Sequence, residues 1–212
     1  MIGIGMNGVV VVTGAAGELG QAMAAALAQN GTTLILADRD THALKTIAER
    51  CREPGAEIHI VEADISDTAS ARKLVNAARE IAGRIDVWIS NADPARSRGL
   101  TPDIRAVTPV FARQKRGILI NLVSGDALAA DLREALSARR DIHLCDVHGA
   151  FGGDAGKLAR RIADLVRAPR PRVMLGANDN LLDRIVKGGA AAFAALTGVG
   201  GLIATLESAR IS

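Results

Sequence analysis

An apolar run, Val9–Val12, passes directly into Thr13-Gly14-Ala15-Ala16-Gly17-Glu18-Leu19-Gly20, and an alanine-rich segment follows. Consecutive β-branched residues suit a strand buried on both faces, so the passage reads as strand, tight turn and helix. Three glycines at such a junction let the chain turn sharply, let its backbone approach a ligand, and let helix pack closely on strand. The helix start supplies free N–H groups and the positive end of a dipole, which is the chemistry that holds a pyrophosphate. Asp38 closes the next apolar run, 24 residues after Gly14, where a carboxylate can accept hydrogen bonds from adenosine ribose hydroxyls. Thr13, Gly14, Ala16, Gly17, Glu18, Leu19, Gly20 and Asp38 are therefore the candidate dinucleotide site. A tight turn alone would account for the glycines but not for Asp38. The charge of Asp38 opposes a 2′-phosphate and neighbouring Arg39 could counter it, so NAD is the preferred cofactor and NADP is left open.

Downstream, short β-branched runs alternate with amphipathic segments, the pattern of βα units and a parallel sheet. Strands are expected at about Val9–Val12, Thr33–Ala37, Glu57–Val61, Ile85–Ser90, Gly117–Val123, Ile142–Val147 and Arg172–Leu175. Helices are expected at Glu18–Gln29, Thr41–Cys51, Thr68–Ala82, Ala127–Ala138 and Asp154–Val166, with a short broken one near Pro102–Lys115. Asp40, Asp67 and Asp154 suit N-terminal caps, and Gly31 and Gly83 suit stops. The expected fold is α/β: a Rossmann-type, doubly wound, mainly parallel sheet of about seven strands, in one domain over residues 1–176.

Aromatic residues make up 2% of the 212 and tyrosine is absent, so the core must be built from aliphatic residues and platforms for stacking bases are in short supply. The net charge of +3 balances 26 basic against 23 acidic residues, interspersed rather than striped, and no nucleic-acid partner is expected. Cys51 and Cys145 suggest neither a disulfide framework nor a zinc site. Strand periodicity puts His143 and Cys145 on one face and His148 on the other, so no metal is expected. Gly156-Lys157 lacks the flanking residues of a phosphate loop. The apolar N-terminus has no basic region before it, and a cytoplasmic protein is expected. Residues 188–206 carry no charge, a length near that of a membrane span. Glycine and alanine dominate there, so the tail 177–212 is expected to pack on the domain or across a homo-oligomer, a dimer, rather than enter a membrane.

Three further stretches complete a resemblance to the short-chain dehydrogenase/reductase family, over about residues 9–176. Ala63-Asp64-Ile65 is similar to the family's element beside adenine, and Ser90-Asn91-Ala92-Asp93 to its Asn-Asn-Ala-Gly. Gly117–Ser124 resembles its fifth strand, which ends in the catalytic serine. The resemblance implies hydride exchange between a nicotinamide and a carbonyl or alcohol carbon of a small molecule. It places Asp64 and Ile65 at the adenine, Asn91 and Ala92 along the cofactor, and Ser124 at the substrate oxygen. The departures are specific. The glycine spacing is that of the family's extended branch, Asp93 replaces a glycine, and His148-Gly149 replaces Pro-Gly. Only 26 residues separate Asn91 from Gly117, too few for the family's long fourth helix and its Asn, and 18 separate Ser124 from Ile142, which leaves no place for the Tyr-x-x-x-Lys element.

A phenol flanked by cations can be brought toward a working pKa, whereas a serine hydroxyl is far too weak an acid. Tyrosine-dependent catalysis is therefore expected to be absent. Asp126 and His148 are the other candidates for proton transfer; the ordinary roles of such residues are a helix cap before Ala127 and a structural strand end. Arg96, Arg98, Arg105, Arg113, Lys115 and Arg116 follow the fourth strand, which suits an anionic substrate or a solvated face. Two functions stand: an NAD(P)-dependent oxidoreductase with a reduced or rebuilt site, and a non-catalytic NAD(H)-binding sensor or structural subunit.

Overall fold

The valine- and isoleucine-rich runs form parallel strands because their branched side chains fill both faces of a covered sheet. The computed structural model describes residues 8–29, 31–52, 55–91, 101–123, 142–149, 154–169 and 172–175. Its strands are β1 (Val9–Thr13), β2 (Thr33–Asp38), β3 (Glu57–Glu62), β4 (Val87–Ser90), β5 (Gly117–Val123), β6 (Ile142–Gly149) and β7 (Arg172–Leu175). Their order is β3-β2-β1-β4-β5-β6-β7, and every pairing described from β1 to β6 is parallel. The order reverses between β1 and β4, the switch point at which open α/β sheets bind ligands outside the strands' carboxyl ends. The chain divides into two compact units, Met1–Val173 and Met174–Ser212, and β1–β6 belong to the first. The expected tail, 177–212, lies outside the described residues.

Among the described residues, five helices flank the sheet: α1 (Glu18–Leu27), α2 (Thr41–Cys51), α3 (Thr68–Ala82), α4 (Pro102–Gln114) and α5 (Ala155–Arg167). On one face Val9, Val11, Ile35, Trp88 and Leu119 meet Leu74, Val75 and Ala78 of α3 and Ile104, Val107 and Phe111 of α4. α1 packs on α2 and α5. Asp40, Asp67 and Asp154 cap their helices by accepting the N–H of Ala43, Ser70 and Lys157, and Gly83 ends α3 in the left-handed conformation. No described helix is long and apolar enough to cross a membrane.

Two local expectations change. Gly31 has a φ of 82°, but α1 has already ended at Leu27, with the Ala28 N–H bonded to the Ala24 carbonyl. The segment expected to hold a short broken helix is instead a continuous α4 of 13 residues with Pro109 inside it. Proline removes one helical hydrogen bond; the buried stripe Ile104, Val107, Val110 and Phe111 holds the helix on the sheet in spite of that loss. The expected helix Ala127–Ala138 lies outside the described residues.

At the amino ends of the strands Asp86 ties three of them together. Its carboxylate accepts the Val9 N–H and the Arg84 Nε–H, both at 2.9 Å, and pairs with the Arg116 guanidinium. Its main chain bonds Val9 and Ile118. Burial pushes the Asp86 carboxyl up, but the hydrogen bonds from Arg84, Val9 and Arg116 outweigh it and hold the pKa below the ordinary carboxylate value. A lowered pKa contributes stability above the unfolded-state value, and that contribution is lost as pH falls through the folded-state value. Both arginines are substantially exposed, which limits the gain. Asp86→Asn is expected to cost about 2 kcal/mol at neutral pH, with the gap closing in the acid range. Urea unfolding of both proteins at several pH values measures it, and a gap independent of pH would contradict the assignment.

Candidate functional site

β1 delivers Thr13 and the glycine turn to the switch point, and two neighbouring strands, β4 and β2, fix the turn there. Gly14 takes a φ of 60°, and a Cβ on it would run into the Asn91 carbonyl oxygen; one on Gly20 would strike the Gly14 carbonyl and the Ala15 Cα. Gly17, the residue preceding α1, has only the Gly14 oxygen near such a Cβ, at 3.6 Å. That side of the turn is open to a ligand. Gly17 leaves the start of α1 without a side-chain cap, the condition in which helix N–H groups serve an anion.

β4 clamps the turn. The Asn91 N–H donates to Thr13 Oγ1 at 3.1 Å, the Thr13 hydroxyl donates to the Ile89 carbonyl at 3.2 Å, and Asn91 Nδ2 donates to the Gly14 carbonyl at 3.0 Å. Expected along the cofactor, the Asn91 side chain is thus committed to holding the turn's shape.

β2 closes the other side. Asp38 Oδ2 accepts the Ala16 N–H at 3.1 Å, and Oδ1 accepts the N–H groups of Arg39 at 2.7 Å and Asp40 at 3.2 Å. Two carboxylate oxygens offer about four acceptor positions, so Asp38 retains capacity for a ribose hydroxyl while it is oriented by main chain. The Ala15 N–H on the Ala37 carbonyl, at 3.2 Å, anchors the turn to the same strand.

Arg39 and Asp64 approach to 3.7 Å across the ends of β2 and β3, both exposed. Asp64 is oriented by the N–H and hydroxyl of Ser66, at 2.9 and 2.6 Å. Ile65 packs partly against the core. Glu18, in the first turn of α1, favours the helix dipole but adds negative charge where a pyrophosphate would lie.

The structure thus gathers Thr13, Gly14, Ala16, Gly17, Glu18, Leu19, Gly20, Asp38 and Asn91 around one turn, with Arg39, Asp64 and Ile65 at the neighbouring strand ends. Ala92, Ser124 and Asp126 lie outside the described residues. The His148 main chain continues β6 beside Val123. Sequence reasoning missed the Thr13 hydroxyl as the bridge between β4 and the turn; a threonine closing an all-valine strand was the available signal.

Glycine substitutions separate the roles. Gly14→Ala and Gly20→Ala are each expected to cost about 2 kcal/mol or more, through a positive φ at Gly14 and backbone collision at both, whereas Gly17→Ala costs about 1 kcal/mol or less. Thermal denaturation of the three variants checks the order.

Known proteins resemble this chain in sequence and in fold. Residues 8–103 match the family model of short chain dehydrogenases. An uncharacterized oxidoreductase of Staphylococcus haemolyticus is 29% identical over 62% of this chain and 64% of its own length. A 1,6-dihydroxycyclohexa-2,4-diene-1-carboxylate dehydrogenase of Acinetobacter baylyi is 35% identical over 55% of this chain and 52% of its own. The chain therefore spans less than two thirds of these curated relatives. Among solved structures, an alcohol dehydrogenase of the archaeon Thermococcus sibiricus, complexed with 5-hydroxy-NADP, superposes with a TM-score of 0.67 at 19% identity, covering 80% of this chain and 95% of that one. Over residues 8–103 the chain is similar to the short-chain dehydrogenases, and its sheet has the fold of solved structures that bear that family's name.

Proposed function

We propose that this protein binds NAD(H) at the glycine turn and acts as an oxidoreductase whose active site is rebuilt around the missing tyrosine. The observation that carries the reading is the Asp38 carboxylate, held by the Ala16 N–H against an open glycine turn at the switch point. In this reading the N–H groups at the start of α1 hold the pyrophosphate, Asp38 the adenosine ribose, and the ends of β2 and β3 the adenine. The bound nicotinamide supplies the hydride chemistry. Asp38 favours NADH through charge, and Arg39, whose guanidinium is 66% exposed, leaves NADPH as the weaker ligand. The relatives' names support an oxidoreductase acting on a small molecule.

A second reading is favoured by one fact: no tyrosine exists anywhere in the chain. A non-catalytic NAD(H)-binding sensor or subunit needs the glycine turn and Asp38 but no acid. Ser124, with Asp126 or His148, carries any proton transfer in the first reading and none in the second.

Calorimetric titration with NADH and NADPH tests the binding. Asp38→Ala is expected to weaken NADH about 10- to 100-fold, the value of hydrogen bonds to a charged group, and to narrow the preference over NADPH. No binding of either nucleotide to the folded protein would overturn both readings. Turnover of NADH with simple ketones is expected at least about 10²-fold below a typical enzyme rate of about 10 s⁻¹. A rate near that value would refute the loss of acid catalysis.

A further inference from the structure

Four buried polar atoms without a hydrogen-bond partner lie at the ends of β4 and β5 and the start of α4: Ser90 Oγ, Thr101 Oγ1, Asp103 Oδ1 and Asn121 Nδ2. Their residues are 1%, 6%, 0% and 3% exposed. Ser90 and Asn121 are lateral neighbours in the sheet, so their side chains share a face, and Trp88, two residues before Ser90, shares it too. Trp88 Nε1 donates to Asp103 Oδ2 at 3.0 Å. At the far end of α4, Gln114 bonds the main chain of Ile85 through both its oxygen and its nitrogen. α4 therefore runs antiparallel to β4, and its first turn comes down over the ends of β4 and β5. Thr101 precedes that turn as its N-cap, yet its hydroxyl makes no capping bond.

Buried polar groups are rarely left unpaired, and the grouping of these four on neighbouring elements calls for a shared partner. The set comprises a donor, a carboxyl acceptor and two hydroxyls that can do either. A ligand satisfying it must both donate and accept, and must be small enough to stay beneath the first turn of α4. Water has those properties, typically bridging about three polar groups in such sites.

We propose that Ser90, Thr101, Asp103 and Asn121 form a binding site for internal water, which bridges the first turn of α4 to the ends of β4 and β5. The site adjoins the clamp on the glycine turn, since Asn91 follows Ser90 directly. The bound water fixes where α4 begins relative to the cofactor end of the sheet.

Trp88 is the chain's one tryptophan, so its indole N–H is a single, assignable signal next to the site. Water-selective magnetisation transfer on the full chain is expected to reach the Trp88 indole N–H and the Asn121 side-chain amide, with the sign of water that tumbles with the protein. In the double variant Ser90→Ala, Asn121→Leu the transfer to Trp88 is expected to be lost while its indole shift persists. Thr101→Val, nearly isosteric, is expected to weaken the transfer and guards against a double variant that does not fold. Absence of transfer in the unsubstituted protein overturns the proposal, as does full transfer in the folded double variant.

Discussion

The close approach of Gly14 to Asn91 is the constraint on which the carboxyl end of this sheet depends. A backbone with a φ of 60° pressed against a neighbouring strand's carbonyl leaves no space for a side chain. Thr13 and Asn91 convert that contact into three hydrogen bonds. The turn is therefore set by the pairing of β1 with β4, which are far apart in sequence and adjacent at the switch point. Asp38 then reads the same turn from the opposite side, through Ala16. The shape of the glycine turn, on which the proposed dinucleotide site rests, follows from these contacts.

The opposite edge of the sheet does the complementary work. Asp86 draws β1, β4 and β5 together through main chain and carboxylate, with its two arginine partners in contact with solvent. Charge is placed where water can still reach the cations, so the pair avoids the full cost of a buried ion pair. One end of the strands is locked by an acid with partners, while the other includes buried polar atoms of Ser90 and Asn121 that no protein group pairs. This asymmetry is what an α/β sheet with a ligand site at its carboxyl edge requires.

Much of this was legible in the sequence because the relevant signals are local. Unbroken runs such as Val9–Val12 and caps such as Asp67 specify their elements within a few residues, and the glycine spacing with Asp38 specified the turn and the strand beside it. What escaped depended on packing between distant segments. The segment Pro102–Lys115 read as a short broken helix, and burial of Ile104, Val107 and Phe111 keeps α4 whole across Pro109. Asn91 read as a cofactor residue, and only the sheet register brings its amide onto Gly14. Ser90, Asp103 and Asn121 looked unremarkable because their shared location appears only when β4, β5 and α4 are assembled.

The most direct test of the central claim, that the dinucleotide lies over the glycine turn at the β1–β4 switch point, is amide-by-amide mapping of NADH binding by NMR. The account predicts shifts at Gly14 to Gly20, at Asp38 and Arg39, and at Asn91, with Asp86 and Ile118 at the far edge unmoved. Shifts centred on that far edge, or binding that leaves the Gly14 to Gly20 amides unchanged, would contradict it.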